Sequence, residues 1–286
     1  FLEGVITGLL MSVVLFVVSY SKVEIIKHEL TGKTFHSNVE RSESVKNIID
    51  DNGDQTLILP LQGFIFFGSA NRLLERIKLH LQSQNETNLK YLVFDFKQVT
   101  GVDSSTINSF NKLRILAELD NFQVLFCNLN PKIISQFEAE GLFADSMDLF
   151  LKFDDLDHGM EWCEEQIISE TTKGSNKQKE EIDEIKLFEE KFADLLIYFE
   201  SKDISQNTTL IEQGSDPDGL YFIKSGRVTV ELRSSNNKIR LKSMGTGTVV
   251  GEVSLYLKTQ ATASVISNTD CKTYFLSHEN FEKLNK

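Results

Sequence analysis

The sequence predicts two domains of different class behind an apolar helix: a layered α/β domain with a mixed sheet over residues 55–170, then a smaller strand-rich α+β roll over residues 187–286. Three observations predict this. Strand-like runs alternate with helix-period runs as far as residue 170, and such alternation builds a mostly parallel or mixed sheet layered with helices. From Thr208 the chain turns to short period-two strands divided by glycines, the pattern of an all-β sandwich or barrel. Between them the stretch ETTKGSNKQKEEIDEIK, beginning at Glu170, is polar and charge-rich, so residues 171–186 are expected to be a linker.

The totals exclude several classes. A chain of 286 residues holds two ordinary cores. With 41% apolar and 25% charged residues it is globular rather than disordered. A net charge of −12 and a pI near 5.0 argue against nucleic acid as a partner, because phosphate binding needs clustered Lys and Arg. Cys127, Cys163 and Cys271 are widely spaced, which is neither a disulfide framework nor a zinc site and fits a reducing compartment. The chain begins at Phe1 rather than Met, so it is expected to be part of something longer.

Residues 1–20, FLEGVITGLLMSVVLFVVSY, carry one charge, Glu3. An uncharged run from Gly4 to Tyr20 approaches the roughly 17–25 apolar residues a membrane helix needs, so the segment is expected to be the end of a last transmembrane helix. A signal peptide would need a basic start and a small-residue cleavage site, and neither is present. Lys22 and Lys27 favour a cytosolic position for the domains after this helix, although Glu24 and Glu29 dilute that signal. Residues 21–54 are expected to form a connector and a lead-in strand. His28 and His36 stand apart from any Cys or carboxylate cluster and read as surface residues, with no metal site.

Within the first domain, residues 55–61 (QTLILPL) read as a strand and residues 63–67 as a second extended piece, with Pro60 marking an edge or a bulge. Ala70, Leu73, Leu74, Ile77 and Leu81 recur at helical spacing. Tyr91 to Phe96 is apolar on both faces apart from Asp95, as in a central strand covered on two sides. Residues 97–103 are expected to be a short turn flexing at Gly101. Asp103, Ser104 and Ser105 then give a helix-start signal, and Ile107, Phe110, Leu113 and Ala117 share one face of the next helix. Phe122 to Leu129 reads as a buried strand, Pro131 and Gly141 bracket a helix, and Leu149 to Phe153 is a last strand. A helix over residues 155–169 turns Leu156, Met160, Cys163 and Ile167 inward, with Trp162 at a core or interface position. After the linker a lead-in helix is signalled near Ile185, Phe188 and Phe192. The strands TLIEQG, GLYFIKSG, RVTVEL, KIRLKSM, ASVISN and CKTYFL come next.

Two resemblances sharpen this reading. Val102, Asp103, Ser104 and Ser105 after a hydrophobic strand, with the phrases PLQGFIFFGSANRL and TGKTFHSNVERS, resemble the STAS domain, the module of anti-sigma-factor antagonists and of SulP anion-transporter tails. DGLYFIKSGRVTV, MGTGTVVGEVSL and ATASV, punctuated by Gly214, Gly219, Gly226, Gly245, Gly247 and Gly251, resemble the cyclic-nucleotide-binding β-roll. The chain stops at Lys286 inside what resembles the helix after the roll, so the family's closing helix is expected to be missing or to lie beyond it.

The STAS resemblance implies that Ser105 is the residue phosphorylated in antagonist-type members. The plainer reading makes Asp103, Ser104 and Ser105 a helix cap. The second resemblance implies a Glu on the ribose 2′-OH and an Arg on the cyclic phosphate. Gly251 and Glu252 stand at the Gly-Glu positions, and the family's Pro-Arg-Ala-Ala-Thr falls on Gln260, Ala261, Thr262, Ala263 and Ser264. The Arg position is therefore Ala261. Lys258 is the nearest cation and could serve only as a point charge. A lost charge partner costs about 2–5 kcal/mol, so the roll reads as degenerate and cyclic nucleotide is not expected to bind.

Together these imply the cytosolic regulatory or assembly region of a SulP-family transporter of anions such as sulfate, or of amino acids in vacuolar relatives, at the vacuolar rather than the plasma membrane. Its expected partners are the membrane domain of the same transporter and the membrane, with a homodimer left open. No enzyme, cofactor, metal or nucleic-acid role is expected, since no Ser-His-Asp arrangement, HExxH or GxxxxGK[ST] occurs. The alternatives are a soluble STAS phospho-switch scaffold and a cyclic-nucleotide-sensing module.

Overall fold

The computed structural model describes residues 2–21, 24–41, 43–83, 88–143, 149–171, 189–191, 193–234 and 237–284. Helix α1 (Leu2–Ser21) leads the chain, and its side chains from Gly4 to Leu15 are exposed. They include Leu9, Leu10, Met11 and Val14, each 60% exposed or more. Among the described residues no helix is long and apolar enough to cross a membrane. The remainder forms two compact units. Residues 38–46, which lie within the connector, belong with the second.

The first unit is a five-stranded mixed sheet in the order β1-β2-β3-β4-β5, from β1 (Leu30–Thr31), β2 (Thr56–Ile65), β3 (Tyr91–Val102), β4 (Gln123–Cys127) and β5 (Phe150–Phe153). β1 is antiparallel to β2, and the other pairs are parallel. The two faces of β3 sort its side chains by the strand's period of two. Leu92, Phe94 and Phe96 point to the core under α3 (Phe67–Ser83), α4 (Ser104–Asp120) and α5 (Pro131–Ala139). There Phe94, Phe96, Phe110, Phe126 and Phe137 pack with ring centroids 5.5–6.4 Å apart. Tyr91 and Val93 face the opposite side, against Met160, Cys163 and Ile167 of α6 (Leu156–Thr171). Trp162 packs 5.7 Å from Tyr91 and 6.0 Å from Phe153. Burial pushes the thiols of Cys127 and Cys163 well up in pKa, with smaller pushes from Asp95 and Asp155 on the first and from Cys127 and Glu164 on the second. α5 closes as expected: Gly141 has φ 72°, its N–H reaches Glu138 O at 3.0 Å, and Leu142 N–H reaches Phe137 O at 2.9 Å.

Two expectations are corrected here. Residues 97–103 are not a turn: β3 runs on to Val102, because the far half of β2 pairs with it through Gly63↔Val99, Phe64↔Gly101 and Ile65↔Val102. Gly101 serves close approach rather than flexibility, since a Cβ there would lie 2.8 Å from the Phe64 ring. The two extended pieces before α3 are likewise one strand, with irregularities after Pro60 and Gly63 that keep it paired. Two parallel strands paired along their length hold polar residues that local propensity assigns to a turn.

Helix α2 (Glu43–Asn52) begins in residues of the second unit and ends in the first. The connector before it is pinned to α6. Glu164, 3% exposed, accepts from Ser37 N–H at 2.7 Å and Ser37 Oγ at 2.5 Å. His36 lies 3.4 Å from Asp50 and 4.0 Å from Glu164.

The second unit is a roll of two four-stranded antiparallel sheets, ordered β10-β9-β12-β7 and β11-β8-β13-β6. These are β6 (Phe199–Ile204), β7 (Thr209–Ile211), β8 (Gly219–Ser225), β9 (Val228–Ser234), β10 (Asn237–Met244), β11 (Val249–Val250), β12 (Ser264–Ser267) and β13 (Cys271–Ser277). Short helices α7 (Glu252–Leu257) and α8 (His278–Leu284) complete it. The core holds Leu210, Tyr221, Ile223, Val228, Val250, Val265, Cys271 and Phe275. β6 was not foreseen, because FESKDI is apolar only at its ends; β13 pairs it along its whole length. Residues 172–186 of the expected linker, with Ile185, Phe188 and Phe192 of the expected lead-in helix, lie outside the described residues, while Thr171 ends α6.

Candidate functional sites

The first site is the corner where β2 and β3 end side by side at Ile65 and Val102. Both strands run parallel and each leads straight into a helix, so α3 and α4 start at the same sheet end, where such sheets carry their functional loops. Asp103 sits between the two starts. Its N–H donates to Ile65 O at 3.0 Å. Its Oδ1 accepts from Thr106 N–H at 2.8 Å and from the Ser105 and Thr106 hydroxyls at 2.7 Å each. Its Oδ2 accepts from Phe67 N–H, the first of α3, at 3.3 Å. Burial alone would raise the Asp103 pKa. The hydrogen bonds from Thr106, Ser105 and Phe67 outweigh it and hold the carboxyl below its usual range.

Of the three residues singled out from sequence, Asp103 is the N-cap of α4. Ser104 is exposed at the first helical position. Ser105 is half-buried at the second, with its hydroxyl directed at Asp103. The positive end of α4 therefore already faces a carboxylate. A phosphoryl group on Ser105 would add about 1.5–2 negative charges beside it and remove the hydroxyl proton that Asp103 accepts. Two aromatic residues flank the corner, Phe64 at 40% and Phe67 at 59% exposed.

The second site is α7 and the segment after it. Gly251 opens α7 at φ 90°, and a Cβ there would lie 2.8 Å from Ile211 Cδ1 and 2.9 Å from Gly219 O. Conformation and space both require glycine. Glu252 comes next, at the exposed start of the helix. Lys258, in the left-handed region at φ 53°, ends the helix, and its exposed ammonium lies 2.8 Å from Glu282. Ala261 is 5% exposed; its N–H donates to Ser215 O at 2.9 Å and its carbonyl accepts from Gly214 N–H at 2.7 Å. Thr262 is exposed. Ser264 is buried, and its Oγ accepts from Gln213 N–H at 3.0 Å. Sequence reasoning missed the loop from Gln213 to Ser215 and Glu282 as partners, because all are distant in sequence and nothing local marks the pairing. α7 leaves Val253, Tyr256 and Leu257 at 54%, 78% and 60% exposure.

The sheet with its shared helix corner, followed by the glycine-punctuated roll, defines a chain of two distinct modules. Residues 46–156 match the STAS domain and residues 201–286 match the cyclic nucleotide-binding domain, so the chain carries a STAS domain followed by a cyclic nucleotide-binding-like domain. Over 192 residues it is 29% identical to the vacuolar basic amino acid transporter of Saccharomyces cerevisiae, covering 64% of this chain and 18% of that protein. Over 234 residues it is 23% identical to glutaminase 2 of Bradyrhizobium diazoefficiens, covering 80% of this chain and 36% of that protein. The chain thus spans less than two fifths of the length of either relative. A solved structure of the regulatory domain of Toxoplasma gondii PKA with cAMP is 27% identical, covering 33% of this chain and 36% of that one, with a TM-score of 0.31.

Proposed function

We propose that this chain is the regulatory and assembly region of a membrane transporter, with both domains on the cytosolic face of the vacuolar membrane and α1 as the end of a membrane-embedded helix. The observation that carries this reading is the pairing of a STAS domain with a cyclic nucleotide-binding-like domain, in a chain similar over 192 residues to a vacuolar basic amino acid transporter. The exposed apolar side chains of α1 support it: a helix showing Val5, Ile6, Leu9, Leu10, Met11, Val13, Val14 and Leu15 to solvent has no stable place in water. Under this reading the cargo is handled by another part of the protein. An amino acid, as in the yeast relative, fits better than an inorganic anion. Neither domain carries out a catalytic step.

The STAS corner serves as a structural cap, since Asp103 already occupies the charge position that a phosphate would fill. The roll docks rather than senses: a cyclic phosphate needs a cation, Ala261 offers none, and the exposed ammonium of Lys258 already stands beside the Glu282 carboxylate. Liposome flotation of the whole chain against a version starting at Glu24 tests the anchoring. The whole chain should float with the vesicles and the shorter one should stay behind. A whole chain that remains soluble and monodisperse without detergent or lipid would overturn the reading.

A further inference from the structure

Among the described residues, edge strand β10 carries one bridge on the side away from β9. Val39 of the connector bridges Ser243 in parallel, with Glu40 N–H donating to Ser243 O and Ser243 N–H donating to Asn38 O, both at 2.8 Å. An ion pair reinforces this, Glu40 to Lys242 at 2.6 Å, with both side chains well exposed at 39% and 48%. Ser243 is wholly buried at that point, whereas its neighbours Leu241 and Lys242 are exposed. Among the described residues its hydroxyl has no hydrogen-bond partner.

We propose that Asn38–Glu40 is a releasable strap on the roll, poised between closed and open by the buried Ser243 hydroxyl. The physical argument is a balance. Two main-chain hydrogen bonds replace bonds that water would supply, so their net pull is small. A solvent-exposed ion pair adds little, and salt weakens it. Against them stands a hydroxyl removed from water with no partner, which opposes closure by a factor of about 5 to 150. A cover that carries this cost opens locally, without unfolding the roll. Opening returns Ser243 to water and bares the N–H and C=O groups of β10, the kind of edge that accepts an added extended segment.

Amide hydrogen exchange on the whole chain tests this, reading the Glu40 and Ser243 amides against core amides of β9 such as Val228. In the natural protein the strap amides should be protected, yet exchange well ahead of β9. Ser243→Ala removes the hydroxyl at nearly constant shape and should slow exchange at Glu40 by about 5- to 150-fold, with β9 unchanged. Glu40→Lys, a surface change that leaves the core alone, should speed it by about 2- to 5-fold, as should raising the salt. The proposal is overturned if Ser243→Ala leaves Glu40 exchange unchanged or faster. It also fails if the strap amides of the natural protein exchange no sooner than β9, or show no protection at all.

Discussion

Replacing Asp103 by Ala tests the reading of the STAS corner most directly. The change removes the N-cap of α4, worth about 0.5–2 kcal/mol, and the acceptor for Phe67 N–H, a small addition given its 3.3 Å length. It orphans little else. The buried Thr106 hydroxyl keeps Ile65 O at 3.0 Å, and the half-buried Ser105 can turn to water. The total should be about 1–2 kcal/mol, which for a domain of this size moves Tm by about 2–8 °C. Urea unfolding followed by tryptophan fluorescence reads it cleanly, because Trp162 is the chain's one tryptophan and packs inside the first unit. Asp103→Asn should cost about half as much, since asparagine caps nearly as well but lacks the charge. The pH dependence has a fixed sign. The folded carboxyl titrates below its ordinary value of 3.8, so its extra contribution is complete above that value and is lost as pH falls through the lower folded one. The gap between natural protein and Asp103→Asn should therefore stay constant from pH 7 to about 4 and close below. An Ala cost under about 0.5 kcal/mol, or a gap that changes between pH 5 and 7, would refute the reasoning.

Two further outcomes complete the set that includes flotation and strap exchange. Calorimetric titration with cAMP and cGMP should show no binding below about the millimolar range, and Ala261→Arg should raise affinity if only the cation is missing; low-micromolar binding by the natural protein would defeat the docking assignment. Ser37→Ala should destabilise the first unit by about 1–3 kcal/mol in the same fluorescence assay, because it takes a hydrogen bond from the buried Glu164 carboxylate. A change within about 0.3 kcal/mol would mean that Glu164 is satisfied without it.

What could be read from the sequence was what depends on near neighbours and on periodicity. The alternation of Leu92, Phe94 and Phe96 with Tyr91 and Val93 marks a strand buried on two faces. The stripes from Ala70 to Ile77 and from Ile107 to Ala117 mark the helices over it. The Asp103 cap on Thr106 spans three residues, and the Gly141 stop is equally local. The glycine spacing of the roll was visible for the same reason: Gly251 must adopt a conformation that few other residues tolerate. The extension of β3 through Lys97 and Gln98 was not legible, because its cause is β2, more than thirty residues away. Nor could sequence show that Asp103 also meets the start of α3, that Lys258 turns to Glu282, or that Glu164 holds Ser37. The partial assignment of the connector to the roll belongs with these. Each joins groups far apart along the chain, and pairing of that kind depends on which surfaces the closed fold brings within about 3 Å. Local propensity selected the elements, while tertiary packing selected the partners of their polar groups.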